Sequence, residues 1–116
     1  MIAASPDWEA MLRAELAAVE AGSAATEADR RPVELDQQSV GRLSRMDALQ
    51  GQAMAAATEA RRRARAGALR AALSRLQAGE FGWCETCGEP IPAARLATDP
   101  CLTRCVSCAG GRGPAR

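Results

Sequence analysis

The sequence predicts a mostly α-helical fold, in which two antiparallel helices form a hairpin attached to a small cysteine-rich base. Three observations support this prediction. Alanine supplies much of the 47% hydrophobic content and aromatic residues only 3%, which suits closely packed helices with a thin core. Long stretches lack proline and are rich in helix-forming residues. All five cysteines of the 116-residue chain lie between Cys84 and Cys108.

The first helix is predicted over residues 6–21. Ser5 has the side chain of a helix N-cap, and Pro6 suits the first helical position because its fixed φ matches that of a helix. Gly22 is a candidate C-cap or kink, with possible fraying as far as Ala28. A polar, proline-containing segment follows and ends any helix there.

A second, very long helix is predicted from residue 36 to about residue 78, where the chain has no proline. Its apolar residues form two faces that are rotated from each other: Leu43, Met46, Met54, Ala57 and Ala64 on one, and Leu69, Leu73 and Leu76 on the other. We therefore expect either a change of packing partner along the helix or a bend near Gly67.

The connection between the two helices, near residues 29–48, is too long and too mixed in polarity to be only a turn. Loops of this length in small domains are often functional, and the alternative is a solvated, partly disordered linker. The predicted organisation is a helical hairpin over residues 1–80 with its tip near 29–48, a cysteine-rich module over 81–110 and a flexible tail over 111–116.

The cysteines form two Cys-x2-Cys pairs, at Cys84/Cys87 and Cys105/Cys108, with Cys101 as an extra residue. Two such pairs supply four thiolates, which complete a closed tetrahedral zinc site, so the zinc would be structural rather than hydrolytic. A thioredoxin-like redox pair would need a surrounding βαβ pattern, which the sequence lacks. Cys101 is either a small buried apolar residue or a spare thiol.

The charge pattern limits the possible partners. The net charge is only +1, but residues 1–60 carry ten acids and five arginines, while residues 61–116 carry four acids and ten arginines. This near-neutral total argues against tight, charge-driven binding to nucleic acid. No apolar run is long enough for a signal peptide or a membrane span, so we expect a soluble, cytoplasmic protein with reduced cysteines.

The segment over residues 72–108 resembles the DksA/TraR family of zinc-finger regulators of RNA polymerase. The resemblance rests on Phe81, Gly82, both cysteine pairs, Gly88, Ile91, Arg95, Leu96 and Pro100. It implies a bacterial transcription regulator whose antiparallel coiled coil projects from a zinc-containing base and enters the secondary channel of RNA polymerase. The implied zinc ligands are Cys84, Cys87, Cys105 and Cys108, and Cys101 matches a non-ligating position.

The resemblance also implies an acidic tip that approaches the polymerase active site. The family's tip shows an Asp followed closely by a small residue, and a gap-free count back from Phe81 leads to Asp47 and Ala48. Glu34 and Asp36 resemble the tip in composition and are the second choice. Acidic residues at a tip would act electrostatically, while the helices supply reach and positioning.

Two functions from different classes remain open. The first is a DksA-like regulator that modulates promoter complexes without specific DNA contacts. The second is a zinc-finger module that binds another protein or DNA and whose hairpin is purely structural. The arginine run over residues 61–65 is either a solvated surface or a contact to an acidic polymerase surface or to the alarmone guanosine tetraphosphate. An enzyme is not expected, because the chain has no histidine and no phosphate-binding loop.

Overall fold

The computed structural model describes residues 7–30 and 42–110 of the chain. These residues form helices α1 (Trp8–Ala25), α2 (Arg42–Gln77), α3 (Ala93–Thr98) and α4 (Val106–Ala109), with a 3-10 helix (Glu27–Arg30) after α1. Their one β-type pairing is an isolated antiparallel bridge between Trp83 and Pro90. Among the described helices, none is long and apolar enough to cross a membrane. The predicted mostly helical fold, with a helical hairpin and a four-cysteine module, is confirmed.

Helix α1 begins at an aspartate cap. The Oδ1 atom of Asp7 accepts a hydrogen bond from the backbone N–H of Ala10 at 3.0 Å, which satisfies one of the donors that a helix leaves free at its start. Ser5, the predicted cap, lies outside the described residues. The helix continues past Gly22 to Ala25, so Gly22 is not its C-cap, and the observed end lies within the extension toward Ala28 that the sequence left open.

Gly22 has a packing role instead of a capping role. A Cβ atom at this position would lie 3.2 Å from the Nε atom of Arg62, which is closer than such contacts normally come. The absence of a side chain therefore makes room for the guanidinium of the facing helix. Arg62 also donates from Nη1 to Thr26 Oγ1 at 3.1 Å, which ties the end of α1 to α2.

Helix α2 ends in a Schellman motif centred on Gly79. The N–H of Glu80 donates to the carbonyl of Arg75 at 2.8 Å, and the N–H of Gly79 donates to the carbonyl of Leu76 at 3.2 Å. The φ of Gly79 is +77°, a left-handed conformation that favours glycine. The motif turns the chain sharply toward the cysteine-rich segment.

The chain divides into two compact units. The unit over Ala17–Gly67 contains the paired parts of α1 and α2, with Glu59 and Ala66 buried. The predicted apolar face of α2 is exposed at Met46, Met54, Ala57 and Ala64, so its expected use as a packing face is wrong. The side chain of Leu43 lies outside the described residues.

The second unit combines Met1–Leu16 with Ala68–Arg116, and its described part contains two groups of buried residues. The helical group has Leu12 and Leu69 completely buried, together with Ala72 and Leu73. Full burial of a leucine contributes roughly 1.5–3 kcal/mol. The other group surrounds the cysteines and contains Ile91 and Leu96, against which Trp8 and Phe81 pack. The rings of Trp8 and Phe81 are tilted by 43° with centroids 5.6 Å apart.

Candidate metal centre

The first cysteine pair lies on a tight turn that local hydrogen bonds close. The N–H of Cys84 donates to the carbonyl of Glu89 at 2.8 Å, and the N–H of Gly88 donates back to the carbonyl of Cys84 at 2.9 Å. Gly88 has a φ of +77°, a left-handed conformation that favours glycine. The turn presents the Cys84 and Cys87 side chains to the same side.

The second pair lies at the start of a short helix. Cys105 is the N-cap of α4, and its carbonyl accepts a hydrogen bond from the N–H of Ala109 at 2.8 Å. Cys108 lies inside the same helical turn, so the two thiols share one face. A hydrogen bond from the N–H of Glu85 to the carbonyl of Thr103, 2.8 Å long, connects the segment before α4 to the first turn.

The four thiols have the spacing of a tetrahedral zinc site. The Sγ atoms of Cys84, Cys87, Cys105 and Cys108 all lie within 4.8 Å of one another. Four Zn–S bonds of about 2.3 Å at tetrahedral angles place their sulfurs about 3.8 Å apart. The Sγ atoms of Cys87 and Cys105 are 3.7 Å apart, too far for a disulfide and right for two ligands of one ion. The cluster fits one structural zinc ion.

The pKa values of these thiols differ because their surroundings differ. Burial raises the pKa of Cys84, but hydrogen bonds from the backbone N–H groups of Cys105, Cys87 and Thr86 outweigh it and lower the pKa to about 6. Burial raises the pKa of Cys108 to about 12, and the neighbouring thiols add to this effect. A dication favours thiolates, so zinc supplies the charge that would let all four cysteines ionise together.

Cys101, the fifth cysteine, is half-buried and lies outside this cluster. Its backbone N–H donates to Asp99 Oδ1 at 3.0 Å, which shapes the turn before the second cysteine pair. Two arginines of the same segment, Arg95 and Arg104, also have partners within it. Arg95 Nε donates to the carbonyl of Arg104 at 3.3 Å, and Arg104 Nε lies 3.6 Å from Glu85 Oε2.

The predicted tip residues fall in two groups. Asp47 is exposed and Ala48 is half-buried, both in the second turn of α2. Glu34 and Asp36 lie outside the described residues. Since Asp47 and Ala48 are helical, the aspartate predicted as the first choice for the tip belongs to α2 rather than to a loop.

Glu59, a buried acid in the Ala17–Gly67 unit, was not predicted from the sequence as part of a site. Glu59 is only 5% exposed, and its Oε1 lies 3.2 Å from Arg30 Nη1 and 3.8 Å from Arg62 Nη1. Its Oε2 accepts a hydrogen bond from Arg63 Nε at 3.2 Å. Oε1 has charged neighbours but no well-aligned hydrogen bond. Burial raises the pKa of Glu59, but a hydrogen bond from Ser23 and the nearby guanidinium groups outweigh this, so its pKa is lowered.

The Glu59 cluster borders a cavity of about 440 Å³ that is lined by Arg30, Ala56, Glu59, Ala60 and Arg63. The sequence indicates two of the ion pairs of this cluster, because Glu59 precedes Arg62 and Arg63 at the three- and four-residue spacings of helical ion pairs. The contact with Arg30 cannot be predicted from such a spacing. Arg30 lies in the 3-10 helix and reaches Glu59 by a tertiary contact.

Comparison with known proteins identifies the cysteine module. Residues 79–112 match the model of the prokaryotic DksA/TraR C4-type zinc finger. An uncharacterized 8.2 kDa protein from the gpA 5′ region of Escherichia phage P2 is 68% identical over 25 residues, which are 22% of this chain and 34% of that protein. An uncharacterized protein from Aquifex aeolicus is 45% identical over 38 residues, which are 33% of this chain and 26% of that protein. The chain thus matches about a third or less of each relative's length.

A solved structure matches the fold over a much longer stretch. The structure of transcription factor DksA2 from Pseudomonas aeruginosa superposes with a TM-score of 0.78, covering 90% of this chain and 79% of that one, at 20% sequence identity. This likeness concerns the fold, while the finger match concerns sequence. Residues 79–112 therefore match a zinc finger of the DksA/TraR C4 type, and the chain shares the fold of DksA2.

Proposed function

We propose that this protein is a transcription regulator that binds RNA polymerase through the secondary channel and modulates promoter complexes with an acidic tip. One observation carries the proposal: a single chain combines a DksA/TraR zinc finger over residues 79–112 with the fold of a DksA-type transcription factor. Family and fold are those of a regulatory factor rather than of an enzyme. With RNA polymerase as its partner, the protein would act in the cytoplasm.

The zinc centre has a structural role in this proposal. Cys84, Cys87, Cys105 and Cys108 would ligate one zinc ion and leave no position open for water, so the metal holds the finger together. Residues 81–110 would then form the base, residues 1–80 the hairpin with a tip near 29–48, and residues 111–116 a tail. The hairpin supplies reach, and the base supplies a fixed attachment.

The acidic tip is assigned first to Asp47 with Ala48, and then to Glu34 and Asp36. The Asp47 side chain is exposed, as a residue that acts on a partner must be. A carboxylate brought near the magnesium and mobile elements of a polymerase active site acts through its charge, while binding depends on the rest of the surface. Activity and affinity should therefore respond to different substitutions.

The experiment combines affinity and activity measurements on the same variants. Asp47→Asn removes one charge with almost no change of shape, and we expect it to abolish the effect on promoter-complex lifetime while affinity for core RNA polymerase stays within a few-fold. Glu80→Gln, which changes an exposed acid in the other unit, is the matched control and should behave like the wild type. Glu34→Gln and Asp36→Asn, alone and combined with Asp47→Asn, test the second choice.

Wild-type activity in the triple variant would defeat the acidic-tip mechanism. If the wild-type protein does not bind polymerase, the alternative is favoured. In that case the zinc finger binds another protein or DNA, and the hairpin is purely structural. Assays with and without guanosine tetraphosphate test whether this alarmone joins the protein at the polymerase interface. Substitution of the arginine run over residues 61–65 then tests whether those arginines are involved.

A further inference from the structure

The two cysteine pairs are connected by contacts that do not involve their thiols. Glu85, in the turn of the first pair, contacts two residues that lie just before the second pair. Its backbone N–H donates to the carbonyl of Thr103 at 2.8 Å, and its Oε2 accepts a hydrogen bond from Thr103 Oγ1 at 3.2 Å. Arg104 Nε lies 3.6 Å from the same carboxylate oxygen. We call Glu85, Thr103 and Arg104 the finger bridge.

The finger bridge lies directly beside the metal ligands in the chain. Glu85 follows Cys84, and Arg104 precedes Cys105. The Sγ atoms of Cys87 and Cys105, one from each pair, are 3.7 Å apart. The finger bridge therefore closes almost the same loop of the chain that a zinc ion shared by the two pairs would close.

Helix α3 adds a further contact to the segment before the second pair. Arg95 donates from Nε to the carbonyl of Arg104 at 3.3 Å, and the adjacent Leu96 is buried together with the cysteines. A single ion pair between exposed side chains contributes little to stability. In the finger bridge, however, a hydroxyl and a guanidinium converge on one oxygen of Glu85, next to a backbone hydrogen bond. Such a network restricts the geometry more than an isolated pair does.

We propose that Glu85 is a positioning residue for the zinc ion and that its carboxylate raises zinc affinity by holding the second cysteine pair beside the first. Zinc binding must bring together Cys87 and Cys105, which are separated by 17 residues. Closing this loop costs conformational entropy, which reduces the net free energy of metal binding. The contacts of Glu85 offset part of that cost. This role goes beyond the proposed function and does not depend on contact with polymerase.

Glu89 provides a control for the charge of Glu85. A carboxylate near the site attracts a dication whatever hydrogen bonds it makes, so loss of charge alone could also weaken zinc binding. Glu89 is an exposed acid two residues after Cys87, close in the chain to a ligand, and its side chain is not part of the finger bridge. Its contact within the turn is its carbonyl, which accepts the N–H of Cys84 and is kept when the side chain is replaced.

The experiment measures zinc affinity of the full-length protein by competition with a chelator of known affinity. We expect Glu85→Ala to weaken zinc binding about two- to five-fold, the size of effect expected for exposed charged contacts. Glu89→Ala, with the same change of charge, should bind zinc like the wild type. Thr103→Val removes the hydroxyl donor with little change of shape and should also weaken binding. The double variant of Glu85→Ala and Thr103→Val should bind no more weakly than Glu85→Ala alone, because both changes remove the same contact.

Several results would overturn the inference. Equal zinc affinity in the wild type and Glu85→Ala would do so, and an equal loss in Glu85→Ala and Glu89→Ala would assign the effect to charge alone. Additive losses in the double variant would mean that Thr103 acts independently of Glu85. If Glu85→Ala does not fold, Thr103→Val carries the test, and wild-type affinity in that variant overturns the inference.

The visible spectrum of the Co²⁺-loaded variants checks the ligand set itself. We expect Glu85→Ala to keep the spectrum of a four-thiolate tetrahedral site, because the residue positions the pairs without binding the metal. A changed spectrum would overturn the inference, since Glu85 would then alter the coordination itself. Every one of these measurements is made without polymerase, so a failure of this inference is distinguishable from a failure of the proposed function.

Discussion

Cys105 and Cys101 allow a direct test of the metal centre, because both are half-buried cysteines near each other in the chain. Of the two, Cys105 contributes its thiol to the four-sulfur cluster. We expect Cys105→Ser to weaken zinc binding by more than about 100-fold, the upper range for changing an outer-shell partner of a metal ligand. Cys101→Ser should retain one zinc ion per chain. Native mass spectrometry measures both.

A folded wild-type protein without metal would contradict this assignment, as would undiminished zinc binding in Cys105→Ser. Loss of zinc in Cys101→Ser alone would move the ligand set to a different group of four thiols. The two serine variants have the same change in size and polarity, so a difference between them reports on ligation rather than on packing.

Glu59 is a second residue with a measurable signature, since its carboxylate is buried among arginines. Its pKa is lowered from the ordinary value of 4.5, so the folded state binds this proton more weakly than the unfolded state. The ionised carboxylate therefore stabilises the fold above pH 4.5, and this contribution disappears as the pH falls through the lowered pKa.

We expect Glu59→Gln to lower Tm by several degrees at pH 7, and the difference from the wild type to shrink as the pH is lowered below 4.5. Glu27→Gln, an exposed acid in the 3-10 helix of the same unit, controls for general charge effects. Thermal unfolding followed by circular dichroism across this pH range measures the change. A pH-independent difference between the wild type and Glu59→Gln would mean that the glutamate acts through packing instead.

Among the secondary-structure elements, those governed by local chemistry were predictable from the sequence. The turn at Gly88 and the pairing of four cysteines follow from spacing, because thiols two residues apart can reach one ion. The helical type of the two long segments follows from composition. Helix ends were less predictable: Gly22, a residue type that often ends helices, lies inside α1, where a Cβ atom would crowd the side chain of Arg62.

The faces of the helices were less predictable than the helices themselves. The apolar residues Met46, Met54 and Ala57 have the periodicity of a packing face, yet the structure exposes them and buries Glu59 on the other side. Hydrophobic periodicity cannot distinguish a face that packs within the chain from one that packs against a partner. The Arg30 contact to Glu59 depends on tertiary structure alone.

For the molecule as a whole, the division of helical length determines what metal removal should do. Helices α1 and α2 are 18 and 36 residues long, whereas α3 and α4 of the finger have 6 and 4 residues. Helical circular dichroism therefore reports almost entirely on α1 and α2. The small buried group around Ile91 and Leu96 is shared with the cysteines and is too small to hold the finger alone.

We expect a chelator to unfold the finger while at least about three-quarters of the helical signal remains, in proportion to these helix lengths. Trp8 packs against the buried group of the finger, and Trp83 belongs to the finger itself. The fluorescence of both tryptophans should therefore change at the same time. Re-addition of zinc should restore the fluorescence. A complete loss of helical signal on chelation would mean that the zinc site organises the whole fold.

Each cysteine pair is positioned by its own local hydrogen bonds, and this has a consequence for how the metal is released. The Cys84 turn is closed by its own hydrogen bonds, and the Cys105 pair is held within α4 by its own carbonyl contact. Either pair can open by a local fluctuation while the other still grips the ion. We therefore expect zinc to dissociate in two steps, one cysteine pair after the other, without unfolding of the long helices.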